Sequence, residues 1–189
     1  MRIFIALDID DVIRERLRRF VEGVTGFASE ARWVRPESMH VTLKFIGEKP
    51  AEAVEEIKQA VSAVAGEAIE VAFRGYGFFP TARSARVFWV GIQAGPELAN
   101  LASAIDQATA ALGVPKEDHP YSPHLTLARG GGSGAPERRD RGFQKLQEKL
   151  AALPSPEFGT MTAREFFLYQ SQPMRGGARY TKIAHFGLD

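Results

Sequence analysis

Hydrophobic positions along the chain switch between a spacing of about two residues and one of about 3.6, and the switches divide it into strands and helices. Residues 2–7 are a run of Ile, Phe and Leu that reads as a strand. Asp8, Asp10 and Asp11 lead into a helix over 11–24, with Val12, Ile13, Leu17 and Phe20 as its apolar positions. A polar approach at 33–37, containing Pro36, precedes a strand over 39–46 that stops at Gly47-Glu48-Lys49-Pro50. The segment 51–65 carries Val54, Ile57, Val61 and Val64 on one face and predicts a second helix. Strands near 69–79 and 86–92 follow, separated by residues 80–84, and a third helix runs over about 96–112. Then the order recurs. His119-Pro120-Tyr121-Ser122-Pro123 approaches a strand over 124–128; next come the stretch Gly130-Gly131-Gly132-Ser133-Gly134, a helix over about 140–151, and two last strands near 161–171 and 179–186.

Within the recurring order, His40-Val41-Thr42-Leu43 returns 84 residues later as His124-Leu125-Thr126-Leu127. Side chains on a strand alternate faces, so each copy sets an imidazole beside a hydroxyl, with two apolar residues anchoring the other face. Two copies facing each other would surround one small cavity with two imidazoles and two hydroxyls, parts suited to acid–base chemistry on a phosphate. The chain has only four histidines. Two such matches among four should arise by accident on the order of once in ten thousand chains of this composition. One histidine on a strand is readily explained as a packed structural group, whereas the pair points to function. By the same alternation Lys44 shares the face of His40 and Thr42 and is expected to border the cleft. Phe45 falls on the opposite face and is expected in the core.

Approach segment, histidine strand and helix thus appear twice. The pattern predicts an α+β class with a duplicated, two-lobed fold in a single domain over 1–189. Each lobe would be a mostly antiparallel sheet with outer helices, and the active-site cleft would lie between the lobes where the histidine strands meet.

Composition narrows the chemistry. At 44% hydrophobic and 25% charged residues the chain is of ordinary globular type. The absence of cysteine excludes disulfides, thiolate metal sites and a cysteine nucleophile. No apolar run is long enough to span a bilayer, and the apolar start is too short for a secretory signal, so a cytoplasmic protein with no membrane partner is expected. A net charge of +1 gives no bulk attraction to nucleic acid. Arginine outnumbers lysine 17 to 7, which suits bidentate phosphate contacts but follows as simply from compositional bias. Arg14, Arg16, Arg18 and Arg19 read as a solvated helix face. Asp8, Asp10 and Asp11 read as capping and dipole compensation rather than a metal cluster. The stretch Gly130 to Gly134 lacks the Lys-Ser/Thr of a P-loop and reads as a mobile connector.

Paired His-x-Thr-Leu motifs on a duplicated fold resemble the 2H phosphoesterase superfamily. Several segments are more specifically similar to its RNA 2′,3′-cyclic phosphodiesterase branch, also described as 2′-5′ RNA ligases. They are Met1-Arg-Ile-Phe-Ile-Ala-Leu-Asp8, His40 to Glu48, His119-Pro-Tyr-Ser-Pro-His-Leu-Thr-Leu-Ala-Arg129, and Leu168-Tyr-Gln-Ser171 through Tyr180. The resemblance implies His40 and His124 as catalytic residues, and Thr42, Thr126 and Arg129 as phosphate-binding residues. It also implies opening of a cyclic phosphate to a 2′-phosphate, with His124 as base and His40 as acid. No metal or other cofactor is expected, and RNA ends or small cyclic nucleotides are the expected substrates. His119 and His185 have no catalytic counterpart and are expected to be structural. Arg129 has the wrong strand parity relative to His124, so reaching a phosphate requires the strand to end or twist near Ala128. Three other readings stay open: 2′-5′ ligation as the main activity, a noncatalytic nucleotide-binding module, and a zinc site at His40 and His124, which lacks an evident third ligand. A monomer is favoured, although the sequence does not fix the oligomeric state.

Overall fold

Two antiparallel sheets carry the chain, and their strands interleave in sequence. The computed structural model describes residues 1–130 and 142–189. The strands are β1 (Arg2–Leu7), β2 (Arg32–Trp33), β3 (Val41–Glu48), β4 (Ile69–Pro80), β5 (Ala85–Ala94), β6 (His124–Arg129), β7 (Glu157–Ala163), β8 (Glu165–Met174) and β9 (Gly177–Gly187). The helices are α1 (Asp11–Val24), α2 (Ala51–Ser62), α3 (Pro96–Ala110) and α4 (Gln144–Ala151). The first sheet has the order β3-β1-β8-β9 and the second the order β2-β6-β5-β4-β7. Helices α2 and α3 pack on the first sheet; α1 packs against β7 of the second. One continuous apolar core joins both sheets, from Ile3, Ile5 and Leu7 of β1 to Val90 of β5 and Leu125 of β6. The α+β, duplicated and two-lobed expectation is met.

The helices follow their apolar spacing except at Val12 of α1, which is 61% exposed. Ile13, Leu17 and Val24 of α1 are buried, as are Val54, Ile57 and Val61 of α2. Pro96 opens α3, where a missing N–H costs nothing and a fixed φ suits the first turn. The expected strand over 161–171 divides instead. Residues up to Ala163 pair with β4, Arg164 makes the turn, and Glu165 onward pairs with β1 and β9. Both halves are rich in apolar residues, β7 burying alternate positions and β8 burying Phe166 to Tyr169 in succession, so apolar content alone does not mark the change of sheet. The expected helix over 140–151 is observed as α4 from Gln144, and Gly131 to Gly134 lie outside the described residues.

The arginines of α1 separate. Arg18 and Arg19 form exposed ion pairs with Glu15 and Glu22, as a solvated face should. Arg14 turns inward to Asp8 and the Pro36 carbonyl, and Arg16 reaches the Phe158 carbonyl. Asp11 lies in the first turn of α1, where a negative charge suits the helix dipole. Asp10 holds the cap position without a side-chain capping bond, and Asp8 is an ion-pair centre, bound to Arg14 and Lys182 at 2.6 Å each. Among the described residues, no helix is long and apolar enough to cross a membrane.

Candidate active site

Each motif histidine is held by the same backbone device. Residues 36–38 form a short helical turn before β3, and His40 Nδ1–H donates to the Ser38 carbonyl at 2.8 Å. His124 opens β6, and its Nδ1–H donates to the Ser122 carbonyl at 2.9 Å. In both cases the acceptor lies two residues upstream. A carbonyl can only accept, so it fixes the Nδ1–H tautomer and leaves Nε2 free for chemistry. For His40 that nitrogen faces Thr42 Oγ at 3.0 Å.

The two strands are joined at the cleft. Tyr121, just before the second motif, donates its hydroxyl to the carbonyl of Thr42 in the first motif at 2.7 Å. Burial raises the Tyr121 pKa, so the phenol stays a donor. The backbone of Val34 donates to the Leu127 carbonyl at 2.8 Å, tying the first approach segment to the second motif strand.

Surroundings differ between the two imidazoles. His40 lies 4.8 Å from the Phe4 ring and 5.3 Å from Tyr180, with Tyr169 at 6.3 Å. Phe4, Ala6, Phe167 and Tyr169 form a small apolar cluster on the cleft face of the first sheet. Burial in this enclosure is the largest influence on His40 and lowers its pKa. The Ser38 carbonyl opposes that shift, as does Asp8, while Arg129 and His124 reinforce it. The two motif strands lie against each other, and the Tyr121 bond ties the second approach segment to the first motif. His124 meets Phe79 edge-on at 5.0 Å and Trp89 at 6.5 Å. Gly77 leaves the room that the Trp89 indole occupies: a Cβ there would come within 2.1 Å of it.

Two β-bulges correct the expected parities. In β6, Thr126 pairs with Trp89 and Ala128 with Phe88, so Leu127 is the extra residue. Arg129 then pairs with Val87, two residues from Trp89, and returns to the face of His124 and Thr126. The local twist of this bulge, next to the strand's last residue, supplies the irregularity near Ala128 that Arg129 requires to face the cleft. In β3 the extra residue before Lys44 is Leu43, between Thr42 opposite Ala6 and Lys44 opposite Ile5, and a second irregularity follows at Ile46. Lys44 therefore leaves the cleft face and is buried, and its Nζ donates to Asp106, Pro115 and Glu117. Phe45 moves the other way. It pairs with Phe4 on the cleft side and is 49% exposed, against the core placement that alternation implies.

Arg32 escapes the sequence reading. It sits directly opposite Arg129 in the β2–β6 pair. Like charges in that position repel, and an anion between them relieves the repulsion. Its only sequence signal is its place beside Trp33 in the approach segment. A cavity of about 350 Å³ opens beside His40, lined among others by Asp8, Arg14, Tyr169, Tyr180 and Lys182. His119 is exposed before β6, and His185 is exposed on β9. Among the described residues, no group of three or more His, Cys, Asp or Glu could hold a metal ion.

Known proteins resemble this chain in sequence and fold. A protein of Archaeoglobus fulgidus named RNA 2′,3′-cyclic phosphodiesterase is 33% identical over 186 residues, covering 98% of this chain and 99% of its own. One of the same name from Methanothermobacter thermautotrophicus is 31% identical, covering 100% and 99%. The crystal structure of Escherichia coli LigT complexed with 3′-AMP superposes with a TM-score of 0.79 at 26% identity, covering 99% of this chain and 97% of that one. Residues 7–89 and 90–180 each match the family described as LigT like Phosphoesterase, one match for each motif, and the chain belongs to that family.

Proposed function

We propose that this protein hydrolyses RNA 2′,3′-cyclic phosphate ends to 2′-phosphomonoesters, with His40 and His124 as general acid and base and without a metal or other cofactor. The observation that carries the reading is the duplicated tether: each motif imidazole gives Nδ1–H to a carbonyl two residues back and keeps Nε2 for the substrate. Family membership and the names of the relatives supply the substrate class.

The step balances with these groups alone. One imidazole takes a proton from water, whose oxygen forms a bond to phosphorus. The bond from phosphorus to O3′ breaks, and the other imidazole gives O3′ its proton. Thr42 and Thr126 donate to the non-bridging oxygens, and Arg129 adds charge-assisted donors, with Arg32 beside it. The cavity beside His40 is large enough for the terminal nucleoside.

In the family-based assignment His124 is the base and His40 the acid. Burial favours neutral His40 in the free protein, so as an acid it must gain its proton as the phosphate anion arrives. That same burial favours the exchanged assignment, His40 as base. Substrate carrying sulfur in place of O3′ separates the two, because a thiolate leaves without an acid. His40→Ala and His124→Ala should each lower hydrolysis of the oxygen substrate by about 10²–10⁴-fold in excess EDTA. Sulfur should restore the rate in whichever variant lacks the acid. Near wild-type rates in either single variant, or loss of wild-type activity in EDTA with recovery on adding a divalent ion, would refute the metal-free two-histidine reading.

A further inference from the structure

We propose that Arg14, itself held by Asp8, is a positioning residue for His40: its guanidinium clamps the turn at residues 36–38 whose Ser38 carbonyl orients the imidazole. The inference rests on the proposed two-histidine hydrolysis and names what keeps one of its histidines aimed. The Arg14 fork has three acceptors. Nη1 donates to the Pro36 carbonyl at 2.5 Å, and Nη2 donates to Asp8 Oδ1 at 2.6 Å and to the Ile9 carbonyl at 3.1 Å. Asp8 is fixed in turn. Its Oδ1 also accepts the Ile9 N–H at 2.9 Å, and its Oδ2 accepts from Lys182 Nζ at 2.6 Å. The end of β1, the first turn of α1 and the approach to β3 are thus pinned at one point.

What Arg14 pins is the start of the turn that carries the tether. The Pro36 carbonyl also accepts the Met39 N–H at 3.2 Å, which closes the turn over Glu37 and Ser38. The far end is fixed by Met39, buried in the core. Ser38 lies between the two anchors, and its carbonyl receives His40 Nδ1–H. Without the first anchor that carbonyl is free to swing away, and the imidazole proton then distributes over both ring nitrogens. Asp8, Arg14, Ser38 and His40 line one cavity, so the clamp stands beside the group it aims.

The chemistry of the bridge calls for arginine. A planar fork joins a carbonyl on one element to a carboxylate and a carbonyl on another at fixed angles, whereas an ammonium is a point donor on a flexible stem. Both terminal nitrogens of Arg14 are engaged and its side chain is 19% exposed, so it holds protein rather than substrate. The second lobe secures its tether by another means. Tyr121, next to Ser122, donates to the Thr42 carbonyl. Loss of Arg14 should therefore be felt at His40 and not at His124.

One test needs no substrate. In protein carrying isotope-labelled histidine at about pH 8, above the usual imidazole range, NMR reads which ring nitrogen bears the proton. Wild-type protein should show Nδ1–H at both His40 and His124. Arg14→Met, which keeps the apolar stem, should turn His40 into a mixture of tautomers and leave His124 unchanged. Arg14→Lys, which retains one donor, should fall between. An unchanged His40 in Arg14→Met overturns the proposal. So does an equal change at both imidazoles in Arg14→Lys, which would assign Arg14 to the fold at large. The other test is hydrolysis of a 2′,3′-cyclic phosphate. Arg14→Met should lower kcat by about 10–10²-fold at nearly constant KM, the cost of a misplaced reacting group. The same loss should appear in a His124→Ala background and vanish in a His40→Ala background, where no imidazole is left to aim. An effect on KM alone, or a full loss in the His40→Ala background, overturns the proposal. Failure of wild-type protein to hydrolyse the substrate would instead refute the hydrolysis reading, and the tautomer result would stand apart from it.

Discussion

Replacing Asp106 by alanine should destabilise the protein more than replacing Lys44 by methionine, and the double replacement should cost less than Asp106→Ala alone. The Lys44 side chain is 2% exposed, whereas Asp106 is 20% and Glu117 58% exposed. Nζ donates to Asp106 Oδ1 at 2.7 Å, to the Pro115 carbonyl at 2.7 Å and to Glu117 Oε1 at 3.2 Å. Methionine keeps most of the aliphatic stem in the core and removes the ammonium. The partners it abandons can take up water, so the cost is the charged hydrogen bond, about 1.5 kcal/mol at the low end of its range. Alanine at 106 instead leaves a buried ammonium short of its main counter-ion. That costs about 3 kcal/mol, the low end for breaking a buried pair, because Glu117 and Pro115 still reach Nζ. With Lys44 also replaced, no buried charge remains and the loss should return to about 1.5–2 kcal/mol, the non-additivity of a directly coupled pair.

The assay is urea unfolding of the four proteins at constant m-value, supported by thermal midpoints, which shift by about 2–4 °C per kcal/mol at this chain length. A second readout is kcat for cyclic phosphate hydrolysis, which Lys44→Met should leave unchanged because the ammonium sits on the core side of β3. Equal or larger destabilisation by Lys44→Met would refute the asymmetry. A folded Lys44→Met protein with impaired hydrolysis would refute the buried placement, and with it the bulge at Leu43.

Three further outcomes are expected. Arg129→Ala should weaken binding of a 2′-phosphorylated product by about 1.5–3 kcal/mol, more than Thr42→Ala or Thr126→Ala, as calorimetric titration would read; unaltered binding would remove Arg129 from the phosphate. Tyr121→Phe deletes only the bond to the Thr42 carbonyl, so stability should fall by about 0.5–1.5 kcal/mol while kcat drops more than KM rises; a pure KM effect would assign Tyr121 to substrate binding. Burial sets the folded pKa of His40 below its unfolded value, so the stability this group contributes is full above about pH 6.5 and is lost as pH falls through the folded value. Asp8 and Asp106 are also lowered: burial pushes each up, but the lysine bond each accepts and its neighbouring charges prevail, so their contribution falls away only below about pH 4. His40→Asn should therefore flatten the thermal midpoint between pH 8 and 5.5 without altering the loss below pH 4, and an unflattened upper limb would contradict the lowered pKa of the half-buried imidazole.

Most of the fold was legible because its signals are local. The apolar spacing of Val54, Ile57 and Val61 marks a helix whatever it packs against, and the repeated His-x-Thr-Leu marks two equivalent strands. What escaped depends on pairing. The switch of sheet at Arg164 is invisible because Met161 and Phe166 are buried alike in different sheets. Asp8 looked like part of a helix start, yet its partner Lys182 lies 174 residues away. Lys44 and Phe45 were misplaced by one assumption, unbroken alternation, the same assumption that made Arg129 depend on a local irregularity near Ala128. In β6 the only trace of the break is Leu127-Ala128, adjacent apolar residues that are both buried. In β3 the corresponding pair is Leu43-Lys44, and a lysine there gives no such hint.

The shared bulge also bears on how a near-symmetric site can run a directional reaction. In the proposed reaction, two imidazoles and two threonines presented by the same repeated motif cannot by themselves decide which side of phosphorus receives water. Direction must come from what differs between the lobes. His40 is enclosed by Phe4, Tyr169 and Tyr180, and its pKa is lowered by that burial. His124 meets Phe79 and Trp89 and shares its strand face with Arg129, which has Arg32 opposite. The bulges widen this difference, because the same backbone step presents a cation from one strand and an open aromatic ring from the other. Exchanging the two side chains, Phe45→Arg with Arg129→Phe, would keep both histidines and both tethers while reversing that polarity. If the side chains after the bulges orient the substrate, the exchanged protein should lose far more activity than the loss of one arginine explains, and without a matching loss of thermal stability.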